Sequence, residues 1–109
     1  MHKPFIVLIA TLGLALNAGC GSQAANICLA EADCEGGNDA DVDACIAVQD
    51  GASNYAAAYD CGEAYAKLID CVETTSVCVK DKDKSRYNNS CGEQSKALNS
   101  CTEAASARR

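Results

Sequence analysis

Apolar residues are distributed in two distinct ways along this chain. From Phe5 to Leu16 they form a nearly unbroken run, interrupted only by Thr11 and Gly13. Further on they recur at helical spacing. At 100° per residue Cys61, Ala64, Tyr65, Leu68, Cys71 and Val72 share one face, with Glu63, Lys67 and Asp70 opposite. A second segment thirty residues later repeats the frame: Cys91, Gln94, Ser95, Leu98, Cys101 and Thr102 take the equivalent positions. Both segments open Cys-Gly-Glu, and both hold nine residues between their cysteines. The second face is much less apolar, so its cysteines must hold it. Asp60-x-x-Glu63 and Ser90-x-x-Glu93 have capping-box spacing, which predicts helix starts at 60 and 90.

The rest of the pattern is weaker. Asn26 is placed to cap a short helical turn through Ile27, Cys28 and Leu29. Cys34-Glu35-Gly36-Gly37-Asn38 has the composition of a loop. Asp39, Asp41 and Asp43 read as the acidic first turn of a helix reaching about Val48, because the helix dipole favours carboxylates there. Asp50-Gly51-Ala52-Ser53 predicts a break. Asn54 to Asp60 has good helix propensity, and the pattern leaves open whether it runs into the next helix. Thr74, Thr75 and Ser76 end that helix before Cys78. Lys80 to Arg86 reads as a solvated basic loop, and 106–109 as a fraying end. Tyr55, Tyr59 and Ile69 lie away from the cysteine face and are expected to pack beneath residues 27–48. Exposed, they would make an aromatic patch suited to a partner. The predicted fold is all-α: a small disulfide-stapled helical hairpin, or a bundle of three to four short helices.

Composition explains why staples are needed. Beyond residue 19 there are eleven large aliphatic residues, four tyrosines and no Trp, Phe, Met, His or Pro. Such a core is thin for one domain, and small domains with thin cores rely on cross-links. The chain has nine cysteines. Setting Cys20 aside leaves Cys28, Cys34, Cys45, Cys61, Cys71, Cys78, Cys91 and Cys101, an even number in a short chain, which implies four disulfides. Without histidine after residue 19 there is no Ser-His or Cys-His pair and no Cys/His zinc site. No Cys-x-x-Cys is present, so the thioredoxin-type dithiol is excluded. The expectation is a protein that is not an enzyme and takes no cofactor.

The apolar run 5–16 is too short to cross a bilayer about 30 Å thick as a helix, and small residues follow it. It reads as a secretory signal over residues 1–19. Ala18-Gly19-Cys20 resembles the lipobox of bacterial lipoproteins. The resemblance implies removal of 1–19, diacylation of Cys20 and attachment to a membrane through that lipid. Residues 20–26 would then be a short tether and 27–109 the cysteine-rich domain. Gly21 lacks the aspartate that retains similar lipoproteins at the inner membrane, which points to the outer membrane. The alternative is cleavage after Ala24, at Ser22-Gln23-Ala24, giving a secreted toxin-like or inhibitor-like scaffold.

The twin Cys-x9-Cys spacing over residues 61–101 resembles the coiled-coil-helix domain proteins of the mitochondrial intermembrane space. That resemblance implies an antiparallel helical hairpin with two disulfides. Such a hairpin sets Cys61 opposite Cys101 and Cys71 opposite Cys91, and leaves Cys28, Cys34, Cys45 and Cys78 with three pairings. A rival hairpin would use Cys34-x10-Cys45 instead, giving Cys34–Cys71 and Cys45–Cys61.

Charge is uneven. Residues 20–79 hold one Lys and eleven Asp or Glu, whereas 80–109 hold seven Lys or Arg and four Asp or Glu. No basic–aromatic motif accompanies the basic end, so nucleic acid is not expected as a partner. Pairing between the halves, or plain solvation, accounts for it. The aspartates at 39, 41, 43 and 50 resemble an EF-hand calcium loop in their spacing. Ala44 stands where that loop needs glycine, and Asp50 where it has Glu. A calcium module through Asp39, Asp41, Asp43 and Asp50 is therefore the lesser alternative to a lipid-anchored domain that binds an unidentified protein or has a structural role in the envelope.

Overall fold

In the computed structural model the described residues are 17–108, with side chains described from Gln23 onward. The signal segment therefore lies, up to residue 16, outside the described residues. The described residues form four helices and one hairpin, in order α1 Asn17–Glu35, α2 Asp39–Ala58, α3 Gly62–Thr75, β1 Val77–Lys80, β2 Ser85–Asn88 and α4 Gly92–Ala107. The fold is all-α in character, with the strand pair a minor addition.

Four disulfides hold it: Cys28–Cys45 joins α1 to α2, Cys34–Cys78 joins α1 to β1, and Cys61–Cys101 and Cys71–Cys91 join α3 to α4. The two cysteine repeats thus form an antiparallel pair bridged at both levels, and the rival pairs Cys34–Cys71 and Cys45–Cys61 are not formed. Among the described residues the buried apolar ones are Ile27, Cys28, Ala56, Cys61, Ile69 and Cys91. Half of them are cysteines, so sulfur supplies much of the core formed by the described residues. On α4 no described residue is buried, as its polar face predicts.

Helix ends differ from the expected ones in instructive ways. α1 has no start at Asn26; that residue lies inside a helix whose backbone is continuous from Asn17, with Ile27 and Cys28 buried next to it. Residues 20–26, expected as a tether, are helical in backbone. α1 ends at Gly36, whose φ of 76° only glycine adopts freely, while Gly37 N–H donates to Ala32 O at 2.8 Å. A capping box starts α2: Asp41 N–H donates to Asn38 Oδ1 at 3.1 Å, and Asn38 N–H donates to Asp41 Oδ2 at 2.9 Å.

α2 then runs straight through Asp50-Gly51-Ala52-Ser53, where the pattern predicted a break. A mid-helix glycine costs only about 1 kcal/mol, and packing of α2 against both α1 and α3 outweighs it. The break comes at Asp60 instead, with a left-handed φ of 57°. Asp60 N–H donates to Ala57 O at 3.1 Å and Cys61 N–H to Ala56 O at 2.8 Å, the two bonds of a Schellman ending. Because Asp60 is spent on this turn it cannot cap α3. The residues at the starts of α3 and α4 are Cys61 and Cys91, with no side-chain cap on either helix. Neither capping box expected at 60 and 90 is present.

Lys80 to Arg86 is not simply a loop. β1 and β2 pair antiparallel, Val77 with Asn88, Cys78 with Tyr87, Val79 with Arg86 and Lys80 with Ser85. Only 81–84 turns. The hairpin lies against the end of α1, tied by Cys34–Cys78 and by Tyr87 N–H donating to Glu35 Oε1 at 3.3 Å.

Candidate functional site

α2 is the element on which the candidate groups converge. Its inner face carries Cys45, Gln49, Ser53 and buried Ala56, turned to α1 and α3. Its outer face carries Ala44, Ala47, Val48, Gly51, Ala52 and Tyr55, all exposed, Val48 to 68 % and Tyr55 to 56 %. The Tyr59 ring lies against that of Tyr55, with centroids 4.9 Å apart and planes at 58°. Tyr55 also borders a shallow depression shared with Thr102, Glu103 and Ser106 of α4. Of the three residues expected beneath 27–48, Ile69 is buried, Tyr59 is half-buried and Tyr55 faces solvent. This outer face was not expected from the sequence, because the pattern ended the helix at about Val48, ahead of the break predicted at Asp50-Gly51-Ala52-Ser53. The signal was present, since positions 44, 48, 51 and 55 keep helical spacing across the glycine.

The four aspartates do not form a calcium loop. All of residues 39–50 are helical, so the backbone cannot wrap an ion. Asp41 closes the capping box, and Asp39, Asp43 and Asp50 are exposed on the helix surface. Among the described residues no group of three or more His, Cys, Asp or Glu is placed to hold a metal ion.

A cleft of about 310 Å³ opens where α1, α2 and α3 meet, lined by Gln23, Ala24, Gln49, Asp50, Ser53, Tyr65 and Ile69. Among these lining residues the Tyr65 hydroxyl donates to Gln49 O at 3.0 Å and Gln49 Oε1 at 2.9 Å. Burial, with the nearby Asp50 carboxylate adding to it, raises the Tyr65 pKa above the ordinary 10.0. Gln23 Nε2 donates to Asp70 Oδ1 at 2.6 Å and ties α1 to α3. The cleft can pack an apolar group, and within it Tyr65 and Gln49 satisfy one another.

Cys20 lies in the helical backbone of α1, one turn before Gln23, and its side chain is outside the described ones. The eight remaining cysteines are all paired. The basic cluster sits on the hairpin. Two ion pairs occur among the described residues, Lys67–Glu63 at 3.3 Å and Arg86–Asp81 at 3.1 Å, each within one segment. Acidic and basic halves therefore do not pair with each other there, and solvation accounts for the cluster. No described helix is long and apolar enough to cross a membrane.

The fold and its cross-links define a class: a small, disulfide-stapled helical domain of an oxidising compartment, extracellular or in the cell envelope. No family model, curated protein or solved structure matches the chain.

Proposed function

We propose that the chain is a non-catalytic envelope protein, lipid-anchored at Cys20 and placed at the outer membrane, whose helical domain binds another protein or has a structural role there. The observation that carries this reading is the scaffold of four disulfides around a core that, among the described residues, is half cysteine. Such a scaffold suits a protein that keeps its shape outside the cytoplasm without a large interior. Ala18-Gly19-Cys20 supplies the attachment. The packing of α1 supports a mature chain that begins at Cys20. Cleavage after Ala24 would remove Gln23 and with it the hydrogen bond to Asp70, and would strip two residues from the cleft.

With α1 helical from Cys20, the domain would sit directly at the bilayer surface without a flexible tether. Two acyl chains make such attachment stable where one is marginal. Mass spectrometry of the mature N-terminus is the test. A diacylated Cys20, partition into the detergent phase, and loss of both in Cys20→Ser are the expected results. A mature chain starting at Ala25 and free in solution overturns the anchor and makes the protein a secreted disulfide scaffold.

A further inference from the structure

We infer that the outer face of α2 docks an amphipathic helical segment of another protein, one with an apolar stripe and lysines or arginines along one edge. The inference names a partner class for the binding role proposed above, and rests on that role and not on the lipid anchor. At 100° per residue Ala44, Ala47, Val48, Gly51, Ala52 and Tyr55 span an arc of about 140°. They run over roughly 17 Å of helix. All are exposed, and no polar residue of α2 between 44 and 55 falls within the arc. A surface helix ordinarily turns polar side chains to water there. The small residues let a second helix approach closely, since nothing lies within 4 Å of the position a Cβ would take at Gly51. Val48 and Tyr55 supply the larger anchors.

Charge selects the occupant. Asp39, Asp43 and Asp50 fall within about 40° of one another in a strip beside the Ala47 edge of the arc. All three are exposed, and none is in either of the ion pairs among the described residues. The only Lys or Arg in 20–79 is Lys67, which pairs with Glu63. An apolar face bordered by unpaired carboxylates complements a basic amphipathic helix. A second copy packed face to face through α2 would bring the same acidic strip against itself, and an anionic bilayer would be repelled by that strip.

The probe is a synthetic helical peptide of roughly 18 residues with a leucine stripe and lysines along one edge, compared with the same peptide carrying glutamates instead. Binding to the oxidised mature protein is read by fluorescence anisotropy at several salt concentrations. The lysine peptide should bind at least tenfold more tightly than the glutamate peptide. The double variant Val48→Lys, Tyr55→Lys should weaken binding about tenfold or more. Asp43→Asn with Asp50→Asn should weaken it several-fold and flatten its salt dependence. These positions are exposed, and an unchanged circular dichroism spectrum certifies the fold of each variant.

Equal or absent binding of the two peptides, or binding indifferent to Val48 and Tyr55, overturns the inference. So does a dimer seen by sedimentation that Gly51→Arg dissociates, because a second copy then covers the face. Flotation with phosphatidylglycerol vesicles that is lost in the Val48, Tyr55 variant overturns it in favour of a membrane. The N-terminal mass reports on the anchor separately, so failure here leaves attachment standing and the reverse also holds.

Discussion

The Tyr65 hydroxyl on α3 donates to both the backbone carbonyl and the side-chain oxygen of Gln49 on α2, at 3.0 and 2.9 Å. It joins the two halves of the molecule without sulfur. Burial first, and the Asp50 carboxylate second, favour the neutral phenol in the folded state. The unfolded chain loses this proton at lower pH than the folded one. The contribution is therefore fully present below pH 10.0 and is lost as pH rises from there through the higher folded value. Thermal melts should show stability declining above about pH 10, and Tyr65→Phe should flatten that decline while lowering stability near neutrality by about 1 kcal/mol.

Cys34–Cys78 closes the longest span of the four bridges, 44 residues, against 17 for Cys28–Cys45. Loop-closure entropy then predicts that the double variant Cys34→Ala, Cys78→Ala loses about 4 kcal/mol and Cys28→Ala, Cys45→Ala about 3 kcal/mol. Denaturant unfolding of the two variants, each with its other bridges intact, checks the order. Full reduction should abolish most helical circular dichroism at room temperature, because the described interior is half cysteine.

Asp60 holds a left-handed φ of 57° between α2 and α3. Asparagine and glycine tolerate that region; a β-branched residue does not. Asp60→Gly should keep or raise stability by up to about 1 kcal/mol, and Asp60→Val should lower it by about 1–2 kcal/mol. Chemical denaturation of both variants distinguishes this turn from a helix cap, for which both changes would destabilise.

Asn38→Ala should cost about 1 kcal/mol, since it removes the side chain that accepts from Asp41 N–H at the start of α2. An Asp41→Ala variant removes the reciprocal bond to Asn38 N–H. The double variant should lose less than the sum of the two, as expected of bonds that share one turn.

The paired cysteines at 61, 71, 91 and 101 were legible because equal spacing survives any detail of helix packing. The end of α3 was legible as well, since Thr74, Thr75 and Ser76 weaken a helix locally and nothing distant opposes them. The length of α2 was not. Local turn chemistry at Asp50-Gly51 is real but small, and contacts with α1 and α3 overrule it. Asp60 matched a capping box by spacing, yet the preceding helix needed a left-handed residue at its end and took Asp60 for that. The hairpin was hidden by its charges: alternating Lys and Asp over 80–84 read as solvated loop, and Cys34 together with Glu35 anchors the strands from far along the chain. The outer face of α2 was lost with the helix that carries it.

Cys34–Cys78 also changes what a protease can do to this molecule. Its ring overlaps that of Cys28–Cys45 on one side and those of Cys61–Cys101 and Cys71–Cys91 on the other. Every peptide bond from Cys28 to Cys101 is therefore enclosed by at least one ring. Between Cys45 and Cys61, where all of the exposed face of α2 except Ala44 lies, Cys34–Cys78 is the enclosing ring. A single nick there cuts the backbone but frees no fragment, and whatever is attached at one end of the chain stays covalently joined to the other.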